Sequence, residues 1–172
     1  MYTQSAIREA HIAYFAHMYN VFKPYCSTSA QKIDKPFIKS FINKKNNNTY
    51  YSSSFATLSL KIFNPYKTLF YKNNKKMVPE NICTLLTYRG LAYWIMDDGS
   101  MQNKGLHLNT YGFTDTDLDK LCKVLKIKFN LKISLHKHKK GKRIYIWENS
   151  LYCLKPHISK FFVKEMLYKI GG

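Results

Sequence analysis

Asp97 and Asp98 stand side by side at the end of the apolar run Leu91-Ala92-Tyr93-Trp94-Ile95-Met96, directly before Gly99. On a helix this places two carboxylates at the negative end of the macrodipole, at a cost of about 0.3–1 kcal/mol each. They also repel one another. A chain that accepts both penalties after a wholly apolar helix reads either as presenting a carboxylate to a cation or as an ordinary solvated helix end. Other groupings carry less chemistry. Asp115-Thr116-Asp117-Leu118-Asp119 opens like a calcium loop, but Lys120 and Lys126 occupy the positions that need Gly and a bidentate Glu, so it reads as a helix N-terminus. His136-Lys137-His138 puts two imidazoles on one face of a strand amid cations, which favours phosphate contact over metal. Cys26, Cys83, Cys122 and Cys153 include no C-x-x-C pair and are expected to stay reduced.

The charge balance points the same way. The 172 residues carry 28 Lys and Arg against 10 Asp and Glu, a net charge of +18. A polyanion is the natural partner, and nucleic acid is the first candidate because phosphate contacts by Lys and Arg release counterions. Only three cations are Arg (Arg8, Arg89 and Arg143), so bidentate base readout is scarce and backbone or shape recognition is expected. The lysines cluster. Lys39, Lys44 and Lys45 fall in a first predicted hairpin, Lys75 and Lys76 in a basic linker, and Lys137, Lys139, Lys140, Lys142 and Arg143 in a second hairpin. Tyr50, Tyr51, Tyr111, Tyr145 and Trp147 are candidates for stacking on bases. No apolar run reaches the roughly 20 residues of a bilayer span, and the first 22 residues lack the layout of a secretory signal, so no membrane partner is expected.

The elements that must hold these groups can be read from periodicity. Residues 5–22 alternate as a helix blocked by Pro24; 37–42 and 50–58 read as a hairpin around a polar Asn/Lys loop; helical pieces follow at 59–71, with Pro65 as a kink, and at 79–86. Residues 88–98 form a compact helix with Gly99 at a C-cap-like position, and 105–110 alternate as a strand. Thr114 N-caps a helix to about residue 129; 132–138 and 142–147 form a hairpin turned at Lys140-Gly141; a last helical region covers 150–167, with Pro156 near its start. From residue 88 the order is αββαββα, preceded by a shorter αββα.

The stretch 91–99 resembles the second motif of the LAGLIDADG homing endonucleases and intron maturases, in the monomeric branch with two motifs. Leu108-Asn109-Thr110-Tyr111-Gly112-Phe113-Thr114, Arg143-Ile144-Tyr145-Ile146, Lys155-Pro156-His157-Ile158, Met166-Leu167-Tyr168-Lys169 and Asn74-Lys75-Lys76-Met77-Val78-Pro79 are similar to further parts of that branch. The resemblance implies an α+β fold with one complete αββαββα repeat, residues 88–172, preceded by a truncated repeat, residues 1–87. It implies Asp98 as the metal-binding acid, with Mg²⁺ as the cofactor of an active nuclease and none in a purely structural role. It implies Lys76 and Lys169 as charges near the cleaved phosphates, and a basic β-surface that grips nucleic acid.

The departure from the pattern is that residues 1–89 hold three acids, Glu9, Asp34 and Glu80, and no glycine, so no first motif is legible there. The reading that follows is a basic protein derived from such an endonuclease that binds nucleic acid without cutting it. It would prefer RNA to DNA and serve as a structural component of an organellar ribonucleoprotein, with the ribosome and its rRNA as the leading example. The alternatives are a metal-dependent double-strand DNA endonuclease completed by a second chain or copy, and an intron maturase. The abundance of Lys, Asn, Tyr, Phe and Ile, all with AT-rich codons, points to an organelle-encoded, mitochondrial origin.

Overall fold

The computed structural model describes residues 4–34, 38–45 and 47–172, with residues 4–8 described in their backbone only. The fold is α+β. The chain divides into two compact units, Met1–Asn64 and Pro65–Gly172.

In the first unit, α1 (Gln4–Phe22) runs into a 3₁₀ turn over Lys23–Tyr25, where Pro24 cannot continue an α-helix, and α2 (Thr28–Gln31) follows. Phe55 organises this unit. Its ring meets Phe15 and Tyr19 edge-on, both at 5.5 Å, and lies 6.2 Å from Phe22. Tyr19 is buried and its hydroxyl donates to the carbonyls of Ala30 and Ile33, which ties α1 to the segment after α2. The hairpin β1 (Ile38–Asn43) and β2 (Asn48–Ser53) pairs antiparallel from Ile38↔Ser53 to Asn43↔Asn48. The expected strand beginning at Phe37 thus starts outside the described residues. The second expected strand ends at Ser53 rather than residue 58; beyond it Thr57 makes an isolated bridge to the fully buried Cys26.

The second unit begins with α3 (Asn64–Phe70). Pro65 causes no kink, because it occupies the first turn of the helix, where its missing N–H has no partner to lose. The basic linker is a tight hairpin, β3 (Tyr71–Lys72) and β4 (Lys75–Lys76), turned by Asn73 and Asn74 with φ of 50° and 59°. Two successive left-handed residues make the turn that matches strand twist, and Asn tolerates that region better than other side chains do. A short α4 (Ile82–Leu85) leads to α5 (Tyr88–Asp98), capped where Thr87 Oγ1 accepts from Gly90 N. Gly99 is not a left-handed cap. Its backbone is extended (φ −77°, ψ 145°), and it opens β5 (Gly99–Gln102) at once, where a Cβ would collide with Ile95.

β5, β6 (Gly105–Asn109), β7 (Ile133–His138) and β8 (Gly141–Ile146) form one antiparallel sheet in the order β5-β6-β8-β7. Register pairs Leu106 with Ile146 and Leu108 with Ile144, so these four share one face and are fully buried. That face packs with Leu91, Ala92 and Ile95 of α5, with Leu121 and Leu125 of α6 (Asp115–Ile127), and with Leu151, Leu154 and Ile158 of α7 (Glu148–Ile158). Each such side chain contributes about 2 kcal/mol by leaving water. Pro156 lies in the last turn of α7 rather than near a helix start; the helix ends at Ile158 and 3₁₀ turns over Ser159–Phe161 and Lys164–Ile170 complete the chain. No described helix is long and apolar enough to cross a membrane.

Asp117 joins α6 to the segment before α4. Its Oδ1 accepts from Val78 N at 2.8 Å, and its Oδ2 accepts from Thr114 Oγ1 at 2.7 Å within a capping box. Burial alone would raise its pKa; the Val78 and Thr114 donors outweigh it, with Lys120 adding to them, and the carboxyl is held below its ordinary value. Asp117→Ala leaves Val78 N–H buried and unsatisfied and removes half the box. We expect a loss of about 2–3 kcal/mol in urea unfolding, against about 1 kcal/mol for Thr114→Ala. Equal losses for the two variants would show that the long-range Asp117–Val78 bond contributes nothing.

Candidate nucleic-acid interface

The end of α5 presents Asp97 and Asp98 at the surface, and both line a groove of about 350 Å³ together with Lys76, Gly90, Trp94 and Phe113. Lys76 reaches it from β4, with its ammonium 5.4 Å from the Phe113 ring centroid. Asp98 and Lys76 are thus brought to one place from 22 residues apart. Lys169 approaches the same helix end from within. It is buried, and its Nζ donates to Met96 O at 2.5 Å and to Asp97 O at 3.3 Å. An ammonium at a helix C-terminus satisfies orphan carbonyls and offsets the dipole. Burial lowers the Lys169 pKa, and the Coulombic pull of Asp97 and Asp98 works against that fall. Among the described residues no three His, Cys, Asp or Glu side chains cluster as a metal site. Asp98, with Asp97 beside it, offers one or two carboxylates, the number with which Mg²⁺ is held when substrate phosphates complete its shell.

The second surface is the outer face of the sheet. Strand alternation turns Lys132, Ser134, His136 and His138 of β7 and its flank to that face, opposite Arg143, Tyr145 and Trp147, with His107 on β6. His136 is held on both nitrogens: Nδ1 shares a hydrogen bond with His107 Nε2 at 3.0 Å, and Nε2 shares one with Ser134 Oγ at 2.9 Å. Tyr145 stacks on His136 at 4.9 Å and 17°, and its side chain covers Gly105, where any Cβ would collide with it. Tyr111 stacks on His138 at 5.0 Å. His107 is buried. Its pKa falls from 6.5 to about 4, first through desolvation, then through Arg143, His136 and His138. His107 Nδ1 and Arg143 Nε are buried without a hydrogen-bond partner.

The expected nucleic-acid-binding cations distribute unevenly. Lys137, Lys139 and Lys140 are exposed at the tip of the β7–β8 hairpin, whereas Lys142 is half-buried and paired with Asp115 at 2.6 Å. Lys75 is exposed on the β3–β4 hairpin. Lys39, Lys44 and Lys45 are exposed on and beside β1 in the other compact unit. Sequence reasoning missed His107, Ser134 and Lys132. The signal for His107 was available in the alternation of Gly-Leu-His-Leu-Asn, which faces it away from Leu106 and Leu108; its pairing with His136, 29 residues on, was not.

Comparison with known proteins fits this geometry. The family model described as "LAGLIDADG DNA endonuclease family" matches residues 2–154. The chain is 32% identical over 168 residues to the cytochrome b mRNA maturase bI2 of Saccharomyces cerevisiae, covering 92% of this chain and 38% of that protein. It is 31% identical over 150 residues to the protein of the same description from Debaryomyces hansenii, covering 86% of this chain and 55% of the relative. The chain therefore spans about two fifths and just over half of these two relatives. The solved structure of the homing endonuclease I-WcaI bound to its DNA recognition sequence superposes with a TM-score of 0.80 at 30% identity, over 92% of this chain and 70% of that one. These relatives favour the maturase and endonuclease readings over a ribosomal component.

The depressed His107 pKa has a thermodynamic consequence. The unfolded chain takes up this proton near pH 6.5 and the folded chain only near pH 4, so stability is full above about 6.5 and declines as pH falls towards 4. His138, lowered by slight desolvation and then by Arg143, Lys139 and Lys140, acts in the same direction. Urea midpoints measured across this range should fall with acidity, and His107→Gln should flatten the decline. A variant with the parent's slope would mean that His107 titrates in the fold as it does in the unfolded chain.

Proposed function

The chain belongs to the LAGLIDADG DNA endonuclease family, and on that footing we propose that it is the nucleic-acid-binding part of an intron maturase, with intron RNA as its ligand. The observation that carries this reading is the outer sheet face, where Arg143, Lys132, histidines and aromatic rings stand together beside the exposed lysines of the β7–β8 tip. The maturase relatives and the net charge of +18 support it. A mitochondrial, organelle-encoded origin accords with the relatives' cytochrome b mRNA and with the AT-rich codon bias of the composition. Residues 88–172 act in this reading as the complete αββαββα repeat and residues 1–87 as its shorter counterpart.

A second reading, metal-dependent cleavage of double-stranded DNA, is supported by the groove that Asp98 and Lys76 share. In it Asp98 would hold Mg²⁺ together with phosphate oxygens. The ion would supply charge stabilisation at the attacking and leaving oxygens. Lys76 would add a positive charge beside the phosphate. Lys169 would keep the helix end in place through the Met96 and Asp97 carbonyls.

The two readings separate in one pair of measurements. Binding to intron RNA should weaken linearly in log Kd against log salt, and reversing both tip charges with Lys139→Glu and Lys140→Glu should reduce the slope by about 1.5–2. Asp98→Ala should leave that binding unchanged. Mg²⁺-dependent cutting of duplex DNA that disappears in Asp98→Ala would favour the endonuclease reading instead. RNA binding with no salt dependence would sink the maturase reading.

A further inference from the structure

We infer that the first unit carries a docking groove for an apolar helix of another polypeptide, seated between α1 and the inner face of the β1–β2 hairpin.

The second unit shows what such a face needs. There α6 leads into the β7–β8 hairpin, whose strands pair six residues against six. In the first unit α1 leads, past the short α2, into β1–β2 with the same six-against-six register. Counted from the open end of each hairpin, Ile133, Leu135, Ile144 and Ile146 fall where Ile38, Ser40, Tyr51 and Ser53 stand. Ile144 and Ile146 are fully buried, in one cluster with Leu91, Ala92 and Ile95 of α5. Tyr51 and Ile38 are 45% and 38% exposed, and Ile42 on the same face is 63% exposed. A two-stranded hairpin is marginal by itself and gains stability when a helix packs on one face.

The groove over this face has a volume of about 620 Å³, with Ile12, Ala13, Phe15 and Ala16 of α1 on one side and Ile38 and Tyr51 on the other. Ala13 and Ala16 extend little beyond the backbone, so a second helix can approach α1 closely. The lining suits an apolar partner rather than a polyanion. The chain has 28 Lys and Arg, yet none is among the described lining residues, and Lys39 falls on the opposite face of β1 with Phe41 and Asn43. Asp34, at the rim, pairs with Lys23 at 3.7 Å. The occupant follows by elimination. Among the described residues α5, α6 and α7 bury their apolar faces in the second unit's core, and α1 is itself a wall of the groove. α2, α3 and α4 run seven residues or fewer. The same holds in a second copy. A helix of another polypeptide, with aliphatic side chains spaced as Leu91, Ala92 and Ile95 are, fits the chemistry that remains.

The test uses the full chain and a labelled peptide of its own residues 87–100, the α5 sequence with its Thr87 cap, crosslinked on its outer side to stay helical. We expect fluorescence anisotropy to show saturable binding, with hydrogen exchange slowed in α1 and β1–β2 and unchanged in β7–β8. Ala16→Arg or Tyr51→Arg in the protein should weaken binding about ten-fold. Leu91→Gln with Ile95→Gln in the peptide should do the same, and that change leaves the protein's own fold untouched. A peptide that does not bind, or that binds regardless of these substitutions, would overturn the inference. So would sedimentation showing a dimer that Ile38→Arg dissolves, because a second copy would then fill the groove. None of these outcomes touches RNA binding, so the maturase reading stands or falls separately.

Discussion

The second unit depends on the two-residue alternation of its sheet. Leu106, Leu108, Ile144 and Ile146 exclude water completely on one face, and in a pleated strand that decision assigns every intervening residue to the other. A slip of β6 by one position against β8 would turn His107 and Asn109 to the core beside Ile144 and Ile146 and expose Leu106 and Leu108. The polar and aromatic surface is therefore as firmly specified as the hydrophobic core, because both are set by one register. The hairpin β7–β8 inherits it through Ile133↔Ile146 and Leu135↔Ile144.

The charge distribution follows from the same economy of acids. With 10 carboxylates among 28 cations, most lysines have no protein counter-ion available. Several of the acids serve the scaffold: Asp117 holds Val78, Asp115 pairs with Lys142, and Glu80 pairs with Lys120. Asp97 and Asp98 differ in standing together at a helix end that disfavours them. Lys169 relieves that disfavour by bonding the carbonyls rather than by covering the carboxylates, so the acids stay at the surface. Holding an anion-rich helix end by its backbone leaves the Asp98 side chain exposed.

Much of this was legible in sequence where a local rule operated. The bounds of α5 at residues 88 and 98, the Thr114 cap and the turn at Gly141 all arise from short-range chemistry. Asp98 was legible as the acid on display, and Lys76 shares its groove. The departures have physical causes. The linker at 72–76 carries no alternating apolar pattern, yet Asn-Asn tolerance of positive φ closes it into a hairpin. Gly99 is the C-cap of α5, as its position suggests, with its N–H donating to Ile95 O, but its backbone is extended rather than left-handed, and glycine is needed there because a Cβ would meet Ile95. The placement of Lys169 beneath α5, and the joining of His107 to His136, involve side chains far apart in sequence; no local pattern encodes them.

The lysine that caps α5 lies 73 residues downstream of the carbonyl it binds. During synthesis the helix, its acids and the whole β-sheet leave the ribosome before that ammonium exists, and domains fold as their segments emerge. A chain interrupted after β8 or α7 would carry the outer sheet face without the ammonium that bonds the Met96 and Asp97 carbonyls. The strands of the sheet are therefore synthesised before the residue that satisfies the carbonyls at the acid-bearing helix end.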